Sequence, residues 1–197
     1  MVEDLAQFAE SDNKKSTIIT AWITLYTGKH QDKTMQAIPR LVSMLSEKED
    51  EIVVGALIVL TAMLKQGRYR EGIRYQYIFD VLNQVMELAT RSSTYRPPEG
   101  TWGGRVKITS KAFEMIEELA VDSTDREDLV DSGTIKIIIA LTDGPVSYLL
   151  DQKATETLNR LKAYDDLKLV IPGDANTTDD PHPEENSGGN NGNDTCK

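Results

Sequence analysis

AIPRLVSMLSEKEDEIVVGALIVLTAMLK, residues 37–65, holds two helical stripes separated by a polar break. Ile38, Leu41, Val42 and Leu45 recur at i, i+3, i+4 and i+7, which lays them on one face of an α-helix. Ser46 to Asp50 interrupts the pattern, and Val53, Ala56, Leu57, Leu60 and Leu64 resume it. A short helix, an acidic turn and a longer apolar helix therefore follow one another.

The same pattern continues downstream. Ile78, Val81, Leu82, Val85 and Ala89 form a stripe, as do Ile108, Ala112, Met115, Ile116 and Leu119. Ile135, Ile138, Ile139 and Thr142 come next, then Val146, Leu149, Leu150, Ala154, Leu158 and Leu161. No stretch sustains the alternation of a half-buried strand, so the expected class is all-α. Stripes starting near Ile38 and Ile78 are 40 residues apart, the repeat length of an α-solenoid. The next interval, to Ile135, is 57 residues, and it becomes regular if residues 91–105, RSSTYRPPEGTWGGR, are an insertion. About three repeats are expected over 35–170. A flexible N-terminus (1–15) and a pre-repeat helix (16–34) would precede them. A tail (171–197) would follow, with six acids against Lys197 alone and too little apolar surface to offset its ordering entropy.

Three segments in order resemble the β-catenin branch of the armadillo family. Ala37-Ile38-Pro39-Arg40-Leu41, Met44-Leu45 and Asp50-Glu51-Ile52-Val53-Val54 are similar to the opening of its first repeat, with one extra residue in the loop. Val130-Asp131-Ser132-Gly133-Thr134-Ile135 and Asp143-Gly144-Pro145-Val146 resemble the start of its third. Ile18-Ile19, Ile23, Leu25-Tyr26 and Gln31-Asp32 resemble the segment just before the first repeat.

The resemblance implies a non-catalytic adaptor in cell adhesion at adherens junctions, in Wnt signalling, or in both. It implies an α-catenin-like partner for the pre-repeat helix, with Tyr26 at the place of a tyrosine whose phosphorylation loosens that contact. Ile19, Trp22, Ile23 and Tyr26 make an apolar strip, which suits either docking into a helical bundle or covering the end of the first repeat. A second implied partner is the helix of a Wnt co-activator, at Leu41, Met44, Leu57 and Leu64 with acid from Glu49 or Asp50. Ordinary core packing suits those four leucine and methionine positions equally. Capture of cadherin or T-cell-factor tails is not expected. The positions matching the family's groove asparagines hold Glu118 and Arg160, which lack the amide that holds an extended backbone.

Other classes are disfavoured by composition and motif. A net charge of −10 opposes direct binding to nucleic acid or an anionic membrane. One cysteine, Cys196, and no secretory-type leader lead to the expectation of a cytoplasmic location, at junctions or in the nucleus. With two histidines, no phosphate-binding glycine loop and no nucleophile elbow, neither enzyme activity, a metal site nor a cofactor is expected. Asp122, Asp125, Glu127 and Asp128 are expected to form a solvated turn that favours the next helix start.

Overall fold

Gly28, at φ +65°, takes a left-handed conformation that costs glycine nothing, and it ends the first helix. The computed structural model describes residues 14–28, 31–91, 101–142 and 148–167. Within them the elements are α1 (Lys14–Thr27), α2 (Gln31–Ser43), a 3-10 turn (Met44–Ser46) and α3 (Asp50–Lys65). They continue with α4 (Arg70–Arg74), α5 (Ile78–Arg91), α6 (Thr101–Leu119), α7 (Ser123–Asp131), α8 (Thr134–Thr142) and α9 (Tyr148–Leu161), and a 3-10 turn (Asp165–Leu167) closes the series. No strand occurs among the described residues.

The second and third repeats share one pattern: a short first helix (α4, α7), a middle helix (α5, α8) and a third helix (α6, α9). In the first repeat a single helix, α2, runs through the first two places, with Pro39 in its interior. Pro39 lacks the N–H that would bond back to Met35, and it is exposed, where water reaches the freed carbonyl. Third helices stack on each other, α3 on α6 and α6 on α9, while α5 lies against α8 and against the first repeat's 3-10 turn. These two layers enclose an apolar core that includes Leu41, Leu57, Leu60, Phe113, Ile116, Ile138 and Leu161, each with essentially no exposed surface. Each such side chain contributes about 1.5–3 kcal/mol by leaving water. The fold is an all-α solenoid.

Several sequence expectations shift. Helix α1 stops at Thr27 and Gln31 already opens α2, so the segment 16–34 is two elements with a glycine break between them. The insertion is narrower than 91–105, because Arg91 still belongs to α5 and Thr101 to Arg105 to α6. Gly104 lies close to Asp50 there: a Cβ on it would stand 1.7 Å from Asp50 Oδ2, so the Asp50 side chain would have to move aside. Residues 1–13, 29–30, 92–100, 143–147 and 168–197 lie outside the described residues, and with them most of the N-terminus expected over 1–15, the core of the insertion, the Gly144-Pro145-Val146 segment and the whole tail expected over 171–197.

Candidate binding surface

Helix α1, KKSTIITAWITLYT, carries its apolar side chains the wrong way round for a helix that only covers a core. Its inner face is Thr17, Ala21, Thr24 and Leu25, small or polar except for the leucine. Its larger apolar groups point outward: Ile19 is 58% exposed, Trp22 39%, Ile23 53% and Tyr26 84%. The small inner residues let α1 approach α3 closely; at Gly55 an added Cβ would lie 3.0 Å from Ile18 Cδ1. The Trp22 and Tyr26 rings lean together, centroids 6.2 Å apart, so the strip is ordered by its own contacts.

Polar contacts pin α1 at both ends. Lys15 Nζ donates to Glu51 Oε2 at 2.9 Å, and Lys14 Nζ lies 2.7 Å from Glu47 Oε2. The Lys15 ammonium holds the Glu51 carboxyl below its ordinary value, and Glu51 raises Lys15 in return. Both groups face solvent, so the pair orients the helix more than it stabilises it. At the far end Gln66 Nε2 donates to the Leu25 carbonyl at 3.4 Å. These contacts set α1 parallel to α3.

Of the side chains singled out from sequence, the structure brings Ile19, Trp22, Ile23 and Tyr26 into one exposed strip. The other four go inside. Leu41 and Leu57 have no exposed surface, and Met44 and Leu64 almost none. Their place in the layers between α2, α3 and α5 leaves nothing for a co-activator helix to touch, so in this fold they pack the core. Glu118 and Arg160 each have an ion-pair partner within the fold: Glu118 Oε1 lies 3.8 Å from Arg70 Nη2, and Arg160 pairs with Glu117.

The acidic cluster before the third repeat is not a solvated turn. Asp122 caps α7, its Oδ1 accepting the Thr124 backbone N–H at 2.9 Å, and that bond lowers its carboxyl below the usual range. Asp125 is fully buried. Its Oδ2 accepts Arg70 Nη1 at 2.7 Å, while Arg74 Nε stands 2.9 Å from Oδ1 without the direction of a hydrogen bond. Arg74 Nη2 is 2.5 Å from Asp128 Oδ2. Burial pushes the Asp125 carboxyl up despite the two guanidiniums, which pull it down. Further links join the same two repeats: Asn83 Nδ2 donates to the Ser132 carbonyl at 2.9 Å, Thr134 Oγ1 donates to Asn83 Oδ1 at 2.7 Å, and Thr157 Oγ1 donates to Glu117 Oε1 at 2.8 Å. First, middle and third helices each contribute a set of polar links across this junction. Sequence reasoning missed all three. Its available signal was the match of Arg70 and Arg74, one turn apart on α4, with Asp125 and Asp128 on the equivalent helix of the next repeat.

Among the described residues no group of three His, Cys, Asp or Glu side chains is arranged to hold a metal ion, and no helix is long and apolar enough to cross a membrane.

Two engineered proteins of known crystal structure superpose on this chain. One gives a TM-score of 0.56 over 85% of this chain and 68% of its own, at 15% identity. The other gives 0.54 over 85% of this chain and 41% of its own, at 14% identity. A designed armadillo repeat protein aligns over 84% of this chain at 11% identity, with a TM-score of 0.35. No family model matches the sequence, and no characterised protein does. The likeness to the first two concerns the fold alone, an all-α helical-repeat fold.

Proposed function

We propose that this protein is a non-catalytic, protein-binding scaffold that engages a partner helix through the outer face of α1. One observation carries the reading. Ile19, Trp22, Ile23 and Tyr26 sit at i, i+3, i+4 and i+7 on a helix whose opposite face is already packed, and they face solvent. A stripe of that spacing is what an amphipathic helix or helical bundle takes as its counterpart. Contiguous exposed apolar groups on an otherwise charged chain mark an interaction site.

The finer reading is that the partner is an α-catenin-like helical bundle and that the protein is a β-catenin-like adaptor in adhesion or Wnt signalling. Its support is the ordered resemblance of the segments around Ile19, Ile38 and Ile135. A pull-down with the helical-bundle fragment of α-catenin tests it. The wild type is expected to retain the fragment, and Trp22→Asp with Tyr26→Glu to lose it. Absence of binding by the wild type, or equal binding by the variant, overturns the α-catenin assignment. The alternative is a repeat scaffold of an unrelated pathway that uses the same strip for a different helix. Retention of other helical partners in a strip-dependent manner, without α-catenin binding, is its signature.

A further inference from the structure

The strip on α1 does not stand alone, because its neighbour α3 continues it. Three contacts fix the register of these parallel helices: Lys15 with Glu51, Ile18 with Gly55, and the Leu25 carbonyl with Gln66. In that register Ile58 of α3 lies between the levels of Ile18 and Trp22, and it is 37% exposed. Glu51, Gly55, Ile58, Ala62 and Lys65 follow one another at i, i+4, i+7, i+11 and i+14, so one face of α3 runs alongside α1. Ile18 and Ala62 are half-buried against the core between the two helices. The result is a trough with apolar walls, Ile19, Trp22 and Tyr26 on one side and Ile58 on the other.

Charge is distributed unevenly along this trough. At the Ile19 end both lysines are matched, Lys15 by Glu51 and Lys14 by Glu47. At the Tyr26 end stand Lys65 and Arg68, both exposed. Arg68 donates to Gln66 Oε1 at 3.0 Å and lies over the Tyr69 ring, and Lys65 closes α3. Neither has a carboxylate within ion-pair distance among the described residues. In a chain whose net charge is −10, an end bearing two unmatched cations favours an anionic counterpart.

We propose that the occupant of this trough is an amphipathic helix of a partner protein, lying between α1 and α3 with an acidic turn at the Tyr26 end. The proposal rests on the reading of α1 as the docking face and adds two determinants to it: Ile58 as an anchor on α3, and Lys65 with Arg68 as the source of polarity. A helix seated here buries both walls at once, which α1 alone cannot offer. The acidic turn fixes which end of the partner lies at Tyr26, since exposed ion pairs contribute orientation and association rate more than affinity.

Synthetic amphipathic peptides test this, with leucines at i, i+3, i+4 and i+7 and a final turn of either glutamates or lysines. Their binding to the full chain is read by fluorescence anisotropy at low and high salt. The glutamate-ended peptide is expected to bind several-fold tighter than the lysine-ended one, and salt to erode the difference. Ile58→Glu is expected to weaken the glutamate-ended peptide by roughly tenfold, the scale of one lost apolar anchor. Lys65→Glu with Arg68→Glu is expected to reverse the charge preference. All three positions are exposed, so the variants fold, and their melting curves should match the wild type. If binding depends on Trp22 and Tyr26 but ignores Ile58 and the end charge, the trough proposal fails and the α1 reading stands. If neither peptide binds, or binding survives Trp22→Asp with Tyr26→Glu, both fail.

Discussion

Arg70 of the second repeat donates to Asp125 of the third across 2.7 Å, and the aspartate has no surface exposed to water. A buried ion pair of this kind contributes less through attraction than it costs to break. Removing the carboxylate leaves Arg74 with Asp128 and Arg70 with two carbonyls and Glu118, but the vacated space holds two guanidiniums with reduced compensation. Asp125→Ala is expected to destabilise the chain by about 3–5 kcal/mol. Asp125→Asn keeps the shape and an acceptor, and is expected to cost less than half of that. Urea unfolding checks both, and equal losses would contradict the role assigned to the pair.

The pH response of the two aspartates around α7 has opposite signs. Asp122 has a lowered carboxyl in the folded state, so its contribution is present above the ordinary carboxylate value and is lost as pH falls through the folded one. Asp122→Ala is therefore expected to cost about 1 kcal/mol at neutral pH and nothing in strong acid. Asp125 is raised, so the folded state holds its proton more tightly and stability falls as pH rises through that window. Relative to the wild type, Asp125→Asn is expected to fare better above the window than below it. Unfolding curves at stepped pH read both signs.

Gly55 sits where helix propensity and packing disagree. Alanine in the interior of α3 gains about 1 kcal/mol over glycine. Its Cβ would meet Ile18 at 3.0 and 3.1 Å, and Ile18 is branched and stiff. Gly55→Ala is expected to leave the overall melting midpoint nearly unchanged while displacing α1, visible as faster amide exchange in Thr17 to Leu25. Ile18→Ala in that background is expected to restore the protection. Unaltered exchange in the single variant would show that α1 does not depend on this contact.

The family resemblance implies Leu57 and Leu41 as partner contacts, and the fold buries both completely. Leu57→Ala is expected to cost about 2–5 kcal/mol of stability. At temperatures where the variant stays folded, its partner affinity should equal that of the wild type. A loss of affinity without loss of stability would return this position to the binding surface.

The core was legible because helical stripes such as Ile108, Ala112, Met115, Ile116 and Leu119 repeat faithfully, and burial follows periodicity when one face of a helix is packed. Leu41 and Ile19 show the limit of that rule. Both belong to apolar stripes, and whether a stripe faces in or out depends on what the neighbouring helix presents. Gly55, Thr17 and Ala21 decide it for α1, since small residues there permit close approach with the large ones left outside. The junction clamp was illegible for a different reason. Asp125 sits in a run of acids that looks solvated, and its two arginines lie 55 and 51 residues upstream on another repeat.

Trp22 gives the most direct test of the docking face. Trp102→Phe leaves Trp22 as the single tryptophan, since the chain has two. Its emission and iodide quenching are then followed while an α-catenin helical-bundle fragment is added to saturation. A blue shift and protection from quenching are expected, with both lost in the Tyr26→Glu variant. Saturable binding of the fragment with Trp22 still as red and as quenchable as in the free protein would contradict docking at this face.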